Sequence, residues 1–119
     1  MSAFFKSFLF AYKGIKEGTK QRNLKIHFLF AILSILLGFY FSISITEWLI
    51  ICLCIGFVIS LELINTAIEY LVNWINPEHH PMAGKVKDLG AAAVLIAAMT
   101  TIIIGIVIFG KYIIALYNY

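Results

Sequence analysis

The stretch "LELINTAIEYL", residues 61–71, places two glutamates and an asparagine at the end of a long apolar run. Glu62, Asn65 and Glu69 are three and four residues apart, so on a helix they project from one face. Ionisable side chains are costly inside a membrane span, and they indicate a functional site by default. The stretch therefore predicts a membrane helix with a polar, functional face near one end.

The composition of the chain places this helix in a membrane protein. Hydrophobic residues make up 62% of the 119 residues and charged residues 13%, whereas soluble domains carry about 25% charged residues. A soluble helical bundle would also need a polar outer face on each helix, which the long apolar runs lack. The composition predicts a single membrane domain over residues 1–119.

Hydrophobic patterning divides this domain into four helices. Residues 2–22 carry aromatic side chains on one side and lysines on others, which is typical of a helix at the membrane surface. Apolar segments follow at 26–45, 48–75 and 89–116, and each reaches the ~20 residues that a span needs. A polar loop at 76–88 separates the last two, and its prolines are expected outside helix interiors. The predicted fold class is an all-α integral membrane protein with one amphipathic surface helix and three transmembrane helices.

The distribution of lysine and arginine predicts the orientation. Of the nine such residues, six lie within residues 6–25 and two lie in the polar loop. The positive-inside rule therefore places the N-terminus and this loop in the cytoplasm. If Trp48 marks the outer boundary, a rise of 1.5 Å per residue puts Glu62 about 21 Å and Glu69 about 31 Å further along. Both carboxylates then lie towards the cytoplasmic end rather than at the midplane.

Two features at and within the third span have structural interpretations. Ala93, Ala97, Thr101 and Gly105 repeat at a spacing of four, and small side chains let membrane helices approach closely. We expect a tight helix–helix seam there, within or between subunits. Asp88 precedes the span and could serve as its N-cap.

The polar residues together suit phosphoryl transfer at a membrane surface. Lysine binds phosphate as a point charge, and carboxylates bind Mg²⁺ alongside substrate phosphates. The deeper Glu62 is predicted to act as the base for a lipid hydroxyl, and the shallower Glu69 to hold the metal. No Walker A or glycine-rich kinase loop is present in the sequence. A structural alternative is that Glu62 only pairs with a lysine of another segment.

Two motifs in order carry a family resemblance. "ELINTAIE" followed by "GKVKDLGAAAVL" resembles the small prokaryotic integral-membrane diacylglycerol kinase and undecaprenol kinase family, over nearly the whole chain. The resemblance implies a homotrimer with three spans per subunit and active sites shared between subunits, in the bacterial cytoplasmic membrane. It implies phosphorylation of a lipid hydroxyl with ATP as donor and Mg²⁺ as cofactor. No nucleic-acid partner is expected.

The resemblance also assigns roles to individual residues. Glu62 matches the catalytic base, Asn65 an active-site motif residue, and Glu69 a metal and nucleotide ligand. The positions that match nucleotide-binding residues are Glu78, His79, His80, Lys87 and Asp88.

One position departs from the family pattern. In "QRNLKIH", residues 21–27, Gln21 stands where the family has a second metal-ligating glutamate. A neutral amide is a weaker Mg²⁺ ligand than a carboxylate, so metal affinity or rate is reduced, or Glu17 substitutes after a local shift. In the polar loop, "EHHP" resembles the undecaprenol kinase branch of the family more than the diacylglycerol kinase branch, which implies undecaprenol as the favoured substrate.

Other functions remain open at this point. A small channel or transporter subunit also uses intramembrane carboxylates, but its ion pathway would need charge near the midplane. An assembly protein would rely on the small-residue seam and would leave Lys87 and Asp88 unexplained. A catalytically retired family member, disabled at Gln21, is the third alternative.

Overall fold

Four helices make up the chain in a computed structural model that describes residues 2–78 and 80–119. They are α1 (Ala3–Gly18), α2 (Arg22–Phe41), α3 (Ile45–Ile75) and α4 (Pro81–Tyr117). α2, α3 and α4 are each long and apolar enough to cross a membrane. The described residues contain no strand. The predicted all-α architecture with three candidate spans is therefore confirmed.

The first two helix boundaries differ from the prediction by several residues. α1 ends at Gly18 rather than residue 22, and α2 begins at Arg22 rather than residue 26. The connection is tight because the backbone N–H of Gln21 donates to the carbonyl of Gly18. This turn separates the two helices while the sequence is still amphipathic, so hydrophobic periodicity alone does not reveal it.

The start of α4 was predicted wrongly. The helix begins at Pro81, eight residues before the predicted start of the third span. Proline is favoured at the first helical position, where its missing N–H would have no partner. The His80 side chain caps this end by accepting from the Met82 N–H. Lys87 and Asp88 consequently lie in the helix rather than a loop, and Asp88 is not the N-cap.

A polar cluster joins α3 to the far end of α4. Ser44 and Glu47 form a capping box at the start of α3. The buried Glu47 carboxylate also accepts from the Tyr112 hydroxyl at 2.6 Å and pairs with the Lys111 ammonium at 2.8 Å. Next to it, Ile51, Ile108 and other buried apolar residues form a small core. α3 and α4 are thus fixed at the end opposite to residues 62–69.

α2 joins the same end through a close approach to α3. A Cβ at Gly38 would lie within about 3 Å of the Trp48 indole ring, and Phe39 also packs on that ring, with ring centroids 4.9 Å apart. Only glycine at position 38 leaves room for this arrangement.

Gly38→Ala is expected to lower the free energy of unfolding by about 1–3 kcal/mol, because the added methyl group would displace the Trp48 ring. Gly56→Ala is the matched control, since a Cβ there would meet nothing within 4 Å. Thermal unfolding in detergent would compare the two variants. Equal melting temperatures for both would contradict the packing described here.

Most large apolar side chains in the three long helices remain exposed in the single chain. Leu53 is 74% exposed and Phe39 72% exposed, and the chain measures only 20 Å in its thinnest direction. Exposed apolar faces of this extent suit contact with lipid or other membrane helices. Of the predicted small-residue seam, Ala97 is buried, whereas Gly105 has open space where a Cβ would lie. Within the chain the seam is therefore confined to the level of Ala97.

Candidate active site

The polar face of α3 is formed by Glu62, Asn65, Thr66 and Glu69. The first three are buried, with 3%, 5% and 5% of their surface exposed, and Glu69 is half-buried. The α-helical spacing of residues 62, 65 and 69 predicts this face, and α3 is continuous over these residues. Buried polar groups are costly unless they are paired, so their neighbours determine what the face can do.

Glu62 faces a histidine from α2. The Nε2 atom of His27 lies 3.6 Å from Oε2 of Glu62, which is longer than a hydrogen bond. Among the described residues, this buried Oε2 has no hydrogen-bond partner. The alternative that Glu62 pairs with a lysine is not seen, because its ion-pair neighbour over residues 2–78 and 80–119 is His27. A buried carboxylate with a free lone pair beside an imidazole can accept a proton from a substrate hydroxyl.

Asn65 lies between Glu62 and Glu69 on the polar face of α3 and contacts Glu69. Its Nδ2 donates to Oε1 of Glu69 at 3.4 Å, while its buried Oδ1 has no hydrogen-bond partner among the described residues. This oxygen lies against Gly90 of α4, where a Cβ would collide with it. The absence of a side chain at Gly90 therefore lets α4 pass close to α3 at Asn65.

The half-buried Glu69 provides a carboxylate of the kind that Mg²⁺ prefers, whereas the Oδ1 of Asn65 is buried against Gly90. Mg²⁺ usually uses one or two protein carboxylates and takes its other ligands from phosphates and water. The described residues contain no group of three or more His, Cys, Asp or Glu side chains arranged to hold a metal ion.

Lys87 lies at the same end of the bundle, on α4. Its ammonium donates to Oδ1 of Asn73 on α3. Asp88 is exposed on α4 and has no side-chain hydrogen bond in the described part of the chain. Adjacent helical residues project about 100° apart, so Lys87 and Asp88 face different directions. The motif pair therefore does not converge within one subunit.

The loop before α4 contributes unevenly to the site. Glu78 is exposed and His80 caps α4 through its ring nitrogen. His79 lies outside the described residues, so its predicted role stays a prediction. Of the residues predicted to bind nucleotide in this loop, His80 instead caps the start of α4.

Gln21 is engaged with Tyr70 rather than with Glu69. Its Nε2 donates to the Tyr70 hydroxyl at 3.2 Å, and this hydroxyl donates to Oε1 of Glu17 at 3.2 Å. Tyr70 projects about 100° around the α3 axis from Glu69. Lys20 pairs with Glu17 at 2.8 Å and, by donating to it, holds the pKa of the Glu17 carboxyl below its ordinary value. The α1–α2 turn is thus tied to α3 beside, not within, the polar face.

Three residues around the polar face were not predicted from the sequence to contribute to it. His27 was noticed only as part of the "QRNLKIH" pattern, although a histidine one turn into a span is itself a signal. Asn73 follows Glu69 by four residues and so extends the same face, which its spacing could have indicated. Tyr70 gave no signal, because an aromatic residue at a membrane boundary is common.

An apolar groove of about 630 Å³ leads away from the polar face. Residues of α2, α3 and α4 line it, from His27 at one end towards Phe109 and Ile113 at the other. Because His27 borders both the groove and Glu62, an apolar chain in the groove would bring its polar end close to the buried carboxylate.

Comparison with known proteins identifies the family. A family model described as "Prokaryotic diacylglycerol kinase" matches residues 9–109. The chain is 46% identical over 110 residues to an undecaprenol kinase of Bacillus subtilis, covering 92% of this chain and 89% of that protein. It is 34% identical over 117 residues to a diacylglycerol kinase of Helicobacter pylori, covering 95% and 86%. A diacylglycerol kinase of Haemophilus influenzae is 33% identical over 99 residues, covering 82% and 81%.

Since the match includes the whole polar face of α3 and the Lys87 region of α4, the chain belongs to the prokaryotic diacylglycerol kinase family of membrane lipid kinases.

Proposed function

We propose that the protein transfers the γ-phosphate of ATP to the hydroxyl of a membrane lipid, with Mg²⁺ as cofactor and undecaprenol favoured over diacylglycerol. The observation that carries the proposal is the buried Glu62 carboxylate, which faces His27 at the head of the apolar groove. The similarity to an undecaprenol kinase over 92% of the chain supports the choice of an isoprenoid alcohol.

The lipid hydroxyl is activated by Glu62 in this proposal. The lipid chain lies in the apolar groove, and its hydroxyl donates to the free Oε2 of Glu62. Glu62 would take the proton as the lipid oxygen bonds to the γ-phosphorus and the bond from that phosphorus to the β-phosphate oxygen breaks, so that ADP leaves. Positioned bases of this kind contribute about 10²- to 10⁴-fold to rate. Burial excludes water, which protects the phosphate donor from hydrolysis.

The nucleotide enters from the shallower end of the same face. Glu69 would hold Mg²⁺, which would neutralise charge on the transferring phosphate, and the Nδ2 of Asn65 would orient the Glu69 carboxylate by donating to it. Lys87 provides positive charge to the phosphates. This arrangement places the donor and the acceptor hydroxyl at successive depths along α3.

The distribution of polar residues favours this function over an ion pathway. Glu47 lies at the start of α3, Glu62 and Glu69 lie in its second half, and the buried Ile51 and Val58 separate them. A transport pathway within the chain would need polar groups at that intermediate level.

We propose further that the protein is a homotrimer with active sites shared between subunits, and that its N-terminus and the loop before α4 lie in the cytoplasm of the bacterium. The large exposed apolar faces of α2 and α4 leave surface for neighbouring helices. The lysines of α1 and of the start of α4 support the orientation.

Purified protein in lipid should form labelled lipid phosphate from ATP, more from undecaprenol than from diacylglycerol, and none without Mg²⁺. Both alcohols are offered side by side to the wild type and to Gln21→Glu. Product from diacylglycerol alone would reverse the substrate preference. Product from Gln21→Glu but not from the wild type would identify a family member disabled at Gln21. Absence of product from both proteins would overturn the proposed activity.

A carboxylate at position 21 cannot donate to Tyr70 as Gln21 does, so in Gln21→Glu we expect the side chain to turn towards Glu69. This is expected to lower the Mg²⁺ concentration needed for half-maximal rate by about fivefold, since an exposed charge pair contributes on the order of 1 kcal/mol. Gln21→Ala is the matched control, because it removes the hydrogen bond to Tyr70 without adding a carboxylate. Rates measured over a Mg²⁺ titration compare the three proteins. An unchanged Mg²⁺ requirement in Gln21→Glu would mean that position 21 does not face the metal.

A further inference from the structure

We propose that Asn73 is a positioning residue of the nucleotide site, holding the Lys87 ammonium where the β- and γ-phosphates of ATP bind. This inference rests on the proposed function. The Oδ1 atom of Asn73 on α3 accepts a hydrogen bond from Nζ of Lys87 on α4. It joins residues 14 positions apart across the α3–α4 hairpin.

Asn73 lies on the same side of α3 as the proposed catalytic residues. It follows Glu69 by four residues and Glu62 by eleven, and eleven residues are about three turns of an α-helix. The polar face thus extends one further turn, about 6 Å, beyond Glu69. Lys87 reaches this turn from the neighbouring helix, so its charge is placed next to the position assigned to the metal and phosphates.

The chemistry of the contact suits a phosphate-binding lysine. A lysine ammonium has three N–H donors, and Asn73 uses one of them, which leaves two for phosphate oxygens. A neutral amide fixes the flexible side chain without cancelling its charge. A carboxylate at this place would form an ion pair and compete with the phosphates. Asn73 and Lys87 are exposed and half-exposed, respectively, so a nucleotide can reach them from water.

A purely structural tie between α3 and α4 is the competing explanation. It would stabilise the hairpin and change the binding of every nucleotide alike. A positioning role predicts instead that the effect depends on the β- and γ-phosphates and on the presence of Lys87. These two dependences separate the explanations.

The test measures displacement of a fluorescent ATP analogue from the full chain in detergent by ATP or by AMP, with Mg²⁺ present. The proteins are the wild type, Asn73→Ala, Lys87→Ala and the double variant. Loss of one hydrogen bond at the exposed Asn73 predicts about a fivefold to tenfold weaker binding of ATP by Asn73→Ala. We expect AMP binding to stay unchanged, and Asn73→Ala to have no further effect in the Lys87→Ala background.

Further variants distinguish a loss of ATP binding from misfolding. Asn76→Ala, which removes another amide at the same end of α3, is the control and should bind ATP as the wild type does. Asn73→Asp keeps an acceptor oxygen for Lys87 but adds a negative charge, so it should fold and still bind ATP more weakly. For folded Asn73→Ala, the KM for ATP should rise while kcat at saturating ATP is retained.

Several results would overturn the assignment of Asn73. They are unchanged ATP affinity in Asn73→Ala or in Asn73→Asp, an equal loss for ATP and AMP, or a full additional loss in the Lys87→Ala background. Failure of the wild type to bind ATP would instead overturn the proposed kinase function, and with it this inference. The two failures are distinguished by the wild-type protein alone.

Discussion

Glu62→Gln is expected to reduce lipid phosphorylation by about 10²- to 10⁴-fold, which is the range attributed to positioned general bases. The substitution keeps the size and most of the polarity of a side chain that is only 3% exposed. It removes the basic oxygen that faces His27 across 3.6 Å. The chemical step should therefore fail although the packing of α2 against α3 is kept.

The measurement is the initial rate of lipid phosphate formation at saturating ATP and Mg²⁺. Binding of ATP should be retained in Glu62→Gln, because Glu69 and Lys87, the residues proposed to hold the nucleotide, are unchanged. Glu47→Gln is the matched control, since it removes a second buried carboxylate of the same helix at the opposite end. It should lower the melting temperature through loss of its contact with Lys111, but leave the rate per folded protein unchanged. Retained turnover in Glu62→Gln would exclude Glu62 as the base.

The helical period was sufficient to predict the polar face of α3. Glu62, Asn65 and Glu69 share a face because of their spacing alone, and the helix that contains them is long and uninterrupted. The resemblance carried by the two motifs was likewise confirmed at the level of the family. The assigned roles of the individual residues remain predictions, since they depend on bound lipid, nucleotide and metal.

The boundaries and the partners of this face could not be predicted in the same way. Proline at position 81 was interpreted as a breaker, but at the first position of a helix it is favoured, so the polar residues up to Asp88 became helical. Periodicity within one helix does not reveal which residue of another helix lies opposite. The contacts that His27 and Gly90 make with this face therefore emerged only from the packing of α2 and α4 on α3.

Gly90→Ala is expected to impair both stability and activity. On helix propensity alone, the substitution would stabilise an α-helix by about 1 kcal/mol. Here the new methyl group would collide with Oδ1 of Asn65, and overpacking of this kind costs about 1–3 kcal/mol. Either α4 moves away from α3 or the Asn65 amide turns. Turning of the amide would displace Asn65 from Glu69, and movement of α4 would displace Lys87 from the polar face of α3. A misplacement of about 1 Å can reduce rate by about 10²-fold.

Two variants identify the cause of this effect. Gly105→Ala, also on α4, is the control, because a Cβ there would meet nothing within 4 Å. It should be as stable as the wild type or more so. Asn65→Ala combined with Gly90→Ala removes the colliding amide, so the melting temperature should recover while the activity stays low. Recovery of stability without activity would show that Gly90 acts through the position of Asn65. Full activity in Gly90→Ala alone would mean that the close approach of α4 to Asn65 is not needed for the reaction.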